Sequence, residues 1–184
     1  MSVDNVWWMK STLIGAGIAW LVRGVIAFYG PDYWSPHTPL DYAAVLVTSL
    51  ALFLMAVGIW GFYLHNPAPA SRAQMAWRIG VTVTCAAALT ISVSNFTEDA
   101  LGVSSLGYVW VIGMLALLAG LLVAGFSALW VNDLSRWVGS MFLVCAAGLL
   151  LMESGGMFGM GVALLVLSGL KATQAVDILS QQRG

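Results

Sequence analysis

Residues 42–64 read YAAVLVTSLALFLMAVGIWGFYL, with no Asp, Glu, Lys or Arg among them. A bilayer's hydrocarbon core takes roughly 20 residues of α-helix to cross. Inside it a helix satisfies its own backbone N–H and C=O groups, so this stretch predicts a transmembrane helix. The same reading extends outward to segments at about 9–28, 75–93, 106–130, 137–152 and 158–176. Between them stand Gly30, Pro31, Pro36 and Pro39, then Pro67 and Pro69, the polar stretches 95–99 and 132–136, and finally Glu153, Ser154, Gly155 and Gly156. Proline fixes φ and lacks an N–H, so these breaks end helices. Charged residues make up only 8% of the chain and hydrophobic ones 60%, whereas soluble domains are about a quarter charged. Residues 1–184 are therefore expected to form a single all-α polytopic membrane domain of six transmembrane helices.

Charge sets the orientation. Lys10, Arg72, Arg78, Arg136, Lys171 and Arg183 fall on one side of a six-helix path, and Asp32, Asp41, Glu98, Asp99 and Glu153 on the other. Basic residues mark the cytoplasmic face, so both termini are expected there, in a cell inner (plasma) membrane. Trp7, Trp8, Trp77, Trp130 and Trp137 fit an aromatic belt at the inner boundary, and Trp34 and Trp110 fit the outer one. The first segment exceeds a signal-peptide core and reads as a retained helix. Cys85 and Cys145 fall mid-segment, as small buried hydrophobes rather than a disulfide framework. A net charge of −1 excludes a nucleic-acid partner, which demands a basic face. The expected partners are the lipid bilayer and other membrane helices.

The odd-numbered helices open alike, with Trp8, Lys10 and Gly15, with Trp77, Arg78 and Gly80, and with Arg136, Trp137 and Gly139. The even-numbered ones carry a glycine well inside, at Gly58, Gly120 and Gly169, which suggests three repeats of one helical hairpin. With this punctuation the chain resembles the HdeD-type family of small six-helix membrane proteins, best in SRWVGSMFLVCAAGLLL and GVALLVLSGLKATQAVDIL. The long loop with Trp34 and His37, and the intramembrane Arg23, depart from the family pattern. The resemblance implies a three-hairpin architecture and an association with stress tolerance, not a reaction.

Arg23 is the one charge inside a spanning segment, in helical line with Thr12, Ala16, Ala19 and Ala27, a small-residue face that suits burial. It is expected to point into the bundle toward an outer polar pocket formed with Asp41, Asn95, Glu98, Asp99 and Glu153, as an anion or solute site or as a structural ion pair, the alternative being to snorkel toward the outer headgroups. The third segment carries Thr82, Thr84, Thr90, Ser92 and Ser94 among alanines, which predicts a central helix. Two stripes, Gly113, Gly120 and Ala124 on the fourth segment and Gly155 and Gly159 opening the sixth, are candidate helix-packing faces.

Catalytic patterns are missing. His37 and His65 fall at opposite faces, which excludes a paired-histidine haem site. No His/Cys/Asp cluster has zinc spacing, Ser154 has no helix-borne histidine partner, and no phosphate loop occurs. Asn95-Phe96-Thr97 fits a glycosylation sequon on an external loop. No cofactor or metal is expected, and the chain reads as a non-enzymatic protein acting through helix–helix contacts, as an oligomer or as a subunit of a larger membrane assembly. The alternative is small-solute binding or transport through a pocket under the external loops near Arg23.

Overall fold

The computed structural model describes residues 4–31, 36–65, 71–100, 107–131, 134 and 136–181; the side chains of 4, 5, 99, 100, 153 and 171–181 lie outside that description. The described residues are helical almost throughout. They form α1 (Asp4–Ala27), α2 (Pro39–Leu64), α3 (Arg72–Asn95), α4 (Gly107–Trp130), α5 (Arg136–Leu150) and α6 (Gly156–Gln181). A five-residue π-type turn, Phe96–Ala100, extends α3, and a 3-10 turn, Met152–Ser154, joins α5 to α6.

Local chemistry explains where two of the helices begin. At the start of α2, Thr38 caps the helix: its Oγ1 accepts from the Asp41 N–H at 3.3 Å, while Asp41 Oδ2 accepts from the Thr38 N–H at 2.7 Å. This reciprocal pair satisfies two N–H groups that the helix itself leaves orphaned, and Pro39 at the first helical position needs no partner. Ser71 caps α3 by accepting from Gln74 N–H at 3.2 Å. These caps lie outside the apolar runs, so α2 and α3 start at Pro39 and Arg72 rather than at 42 and 75. Likewise α1 starts at Asp4, before the apolar run at 9, and α6 continues to Gln181, past the expected 176.

Four helical stretches, Val6–Ala27, Pro39–Leu64, Arg72–Glu98 and Gly107–Trp130, are long and apolar enough to cross a membrane, as an all-α polytopic membrane protein requires. Shorter apolar helices cover Arg136–Leu150 and Gly156–Leu170. Each of the six helices packs on its neighbours in sequence, and α6 closes the ring against α1. The interior is one apolar cluster in which Leu13, Trp20, Leu52, Met55, Trp77 and Phe142 are fully enclosed. Trp77 of α3 meets Phe142 of α5 edge-on, with ring centroids 5.1 Å apart. The outward faces carry Ile18, Leu50, Phe53, Ile112, Leu115 and Phe126, all exposed. Apolar surface so extensive is rare on soluble monomers and suits lipid.

Close backbone approach sets the register between helices. A Cβ at Gly125 of α4 would meet the Gly139 carbonyl of α5 at 3.2 Å, and one at Gly139 would meet the Gly125 carbonyl at 2.7 Å. Gly17 of α1 and Gly161 of α6 face each other in the same reciprocal way, each Cβ position 2.9 Å from the other's carbonyl. Small residues let backbones approach this closely in a membrane, where packing rather than water exclusion drives association.

Candidate functional site

Buried polar groups concentrate at the end of the bundle where α1 stops and α2 begins. There Arg23, Asp41, Ser49, Ser92, Ser94 and Asn95 are all buried. Arg23 is only 3% exposed. It stands one turn before the end of α1, yet its Nε donates to Thr48 Oγ1 at 2.6 Å. Thr48 lies about 13 Å along α2 from Pro39, so α2 is what places Arg23 at depth. Thr48 Oγ1 in turn donates to the Ala44 carbonyl at 2.8 Å. Beside it, Ser92 Oγ of α3 donates to the Ser49 carbonyl of α2 at 2.7 Å. Buried Ser49 Oγ and Trp20 Nε1 have no hydrogen-bond partner among the described residues.

The residues expected to form one pocket are placed as follows. Asp41 serves the start of α2, where its Oδ2 accepts from the N–H groups of His37 at 3.0 Å and Thr38 at 2.7 Å. Asn95 is the last residue of α3 and is buried. Glu98 lies in the π-type turn, with Oε1 3.6 Å from where a Cβ would stand on Gly107, the first residue of α4. A carboxylate there complements the positive end of the α4 dipole. The side chains of Asp99 and Glu153 fall outside the described residues. Thr48, which carries the defined contact to Arg23, was absent from the expected set; its place at i+4 from Ala44 on a buried α2 face was the available signal.

The packing stripes also resolve individually. Gly113, Gly120 and Ala124 of α4 are buried against α3. A Cβ at Gly113 would lie 2.6 Å from Ile91 Cγ1, one at Gly120 2.7 Å from Thr84 N, and one at Gly80 would strike the backbone of Ala124. Gly155 does not open α6. It sits in the preceding turn at φ +89°, a left-handed conformation that glycine adopts without strain. Gly159 is half-buried, and a Cβ there would touch only Val144 Cγ1, at 3.9 Å. The close α5–α6 approach falls instead at Gly148 and Gly156, which meet backbone to backbone. Of the hairpin-marking glycines, Gly15 and Gly58 face within α1–α2, and Gly80 and Gly120 within α3–α4. Gly139 faces α4 instead, and Gly169 has open space around it.

The hydroxyl-rich α3 divides between two faces. Thr84, Ser92 and Ser94 are buried, with Thr84 Oγ1 donating to the Gly80 carbonyl at 2.8 Å. Thr82, Ala86 and Thr90, spaced four residues apart, are exposed on the outward face. Thr90 Oγ1 donates to the Ala86 carbonyl at 2.9 Å, which keeps its hydroxyl satisfied away from water. Two open grooves flank this stripe between α3 and α4. One, of about 520 Å³, is lined by Arg72, Ala76, Phe126, Ser127 and Trp130 among others. The other, of about 370 Å³, is lined by Leu89, Thr90, Val93, Ser94 and Val109. Neither contains Arg23. Among the described residues no group of three or more His, Cys, Asp or Glu could hold a metal ion. The chain matches no known family model, no curated protein and no solved structure.

Proposed function

We propose that this protein is a non-enzymatic membrane subunit that assembles with other membrane helices through the outward face of α3. The observation that carries the reading is the stripe Thr82, Ala86 and Thr90, left outside the bundle and flanked by the two α3–α4 grooves. Small residues facing lipid gain nothing there, whereas a neighbouring helix laid along them gains close packing and weak hydrogen bonds. In this reading all six helices cross the inner membrane and both termini are cytoplasmic, as the segregation of the basic residues supports. The Gly113, Gly120 and Ala124 stripe is consumed within the chain and is not the contact face.

Size-exclusion chromatography with light scattering in mild detergent tests this. Ala86→Leu should shift the protein to a smaller assembly, and Ala147→Leu, on the exposed side of α5, should leave it unchanged. A wild-type protein that runs as a monomer, or an Ala86→Leu variant identical to it, overturns the reading. The second reading, a solute site at Arg23, is favoured by the unpartnered Ser49 Oγ within the buried polar layer. A monomeric protein whose thermal stability rises with a small anionic solute would support it in place of assembly.

A further inference from the structure

The bundle is uneven in helix length, and the shortfall is at α5. α5 has 15 residues against 24 in α4 and 26 in α2. At 1.5 Å per residue that is about 22 Å for α5, below the roughly 30 Å of an ordinary hydrocarbon core, and tilting shortens the span further. α6 is a longer helix, Gly156–Gln181, in whose sequence Lys171 is the first charge.

Register decides where the step falls. The reciprocal contact of Gly125 with Gly139 sets antiparallel α4 against α5, which brings Leu150 opposite residue 114. α4 continues from there back to Gly107, about 10 Å beyond the end of α5, and the turn Leu151–Gly155 fills only part of that height. That extra length carries Tyr108 and Ile112, both strongly exposed. On the other flank Phe158, near the start of α6, stacks at 5.9 Å on Phe28, just past the end of α1, so the turn is level with the end of α1. The turn cannot unwind to lengthen α5. Leu151 accepts from the N–H groups of Ser154 at 2.9 Å and Gly156 at 2.8 Å, and Gly156 abuts Gly148.

We infer that the α5–α6 edge is a thinning surface that gathers a locally compressed patch of bilayer, thinnest beside the Leu151–Gly155 turn. Lipid is the occupant because the outward residues here, Val144, Leu150, Leu151, Val162 and Val166, are bulky aliphatics. Exposed Arg136 and Trp137 at one end and the Ser154–Gly155 turn at the other fix where water must begin. Compressing lipid by a few ångströms costs fractions of a kcal/mol per ångström, less than drawing the polar ends into hydrocarbon.

The inference rests on α5 crossing the membrane, so the experiment reads the two separately. In the full chain carrying Cys85→Ala and Cys145→Ala, an impermeant thiol reagent should label Arg136→Cys and Ser154→Cys from opposite sides of dioleoylphosphatidylcholine vesicles. Labelling from one side removes both the crossing and the inference. Nitroxides at Leu150→Cys and Tyr108→Cys then report depth by collision with oxygen and with a water-soluble nickel chelate. Thinning puts both labels in the headgroup region, despite their offset of about 10 Å along the bundle. A Leu150 label deep in hydrocarbon with Tyr108 at the headgroups means a flat bilayer over a submerged turn, and overturns the inference while leaving the crossing intact.

Discussion

Gly120→Ala puts the packing account of α3 and α4 under direct strain. The new methyl would sit 2.7 Å from both the backbone N and Oγ1 of Thr84 and 3.1 Å from the Gly80 carbonyl, where ordinary contact begins at 3.4 Å. Backbone cannot rotate aside, so the seam must open by about 0.7 Å. That loosens the neighbouring approaches of Gly80 to Ala124 and of Gly113 to Ile91. Overpacking of this kind costs about 1–3 kcal/mol. Removing a mid-helix glycine returns about 1 kcal/mol of helix propensity, which leaves a net loss of up to about 2 kcal/mol. For a chain of this size the melting temperature should fall by up to about 8 °C. Gly159→Ala is the matched control. Its methyl meets only Val144 at 3.9 Å, so it gains propensity without a clash and should melt about 2–4 °C higher. Thermal unfolding in one detergent, followed by thiol-reactive fluorescence, measures both. A Gly120→Ala protein as stable as Gly159→Ala would refute the close α3–α4 seam.

Thr48→Val removes the acceptor of Arg23 Nε and should cost about 1–3 kcal/mol, while Thr48→Ser should recover most of it; equal melting temperatures would deny the contact. Asp41→Ala removes one arm of the α2 capping box and should destabilise by about 0.5–2 kcal/mol in the same assay. Ser92→Ala breaks the bond to the Ser49 carbonyl and should cost about 0.6 kcal/mol, the usual size of an interhelical hydrogen bond in a membrane. Cys85 and Cys145 are both buried, so a permeant maleimide should leave the folded protein unlabelled and modify both on unfolding.

Helix existence was readable from residues 42–64 and their counterparts because lipid imposes one simple rule, that apolar runs of sufficient length become helices. Helix starts were less so. Thr38 and Ser71 cap from outside the apolar runs, and a hydropathy reading passes over them. The π-type turn after Asn95 leaves no mark in the sequence FTEDA that distinguishes it from an ordinary loop. Arg23's burial followed from its line of alanines, but its contact with Thr48 depends on the α1–α2 register, which no single helix specifies. The outward stripe of α3 was present in the spacing of residues 82, 86 and 90. Reading all the hydroxyls of α3 as one group obscured that Thr84 and Ser92 are buried away from that stripe. Gly155 misled for a related reason: four-residue spacing to Gly159 suggests a helix face, whereas its positive φ ends one hairpin arm before the next begins.

Cross-linking in the membrane tests the assembly claim most directly. With Cys85→Ala and Cys145→Ala as background, Ala86→Cys places a single thiol at the middle of the exposed α3 stripe, and Ala147→Cys places one on the exposed side of α5. Treated with a short bis-maleimide in native membranes, Ala86→Cys should give a covalent dimer or a covalent adduct to a partner, and Ala147→Cys should remain a single chain. Equal yields at the two positions, or no product from Ala86→Cys, would contradict the account.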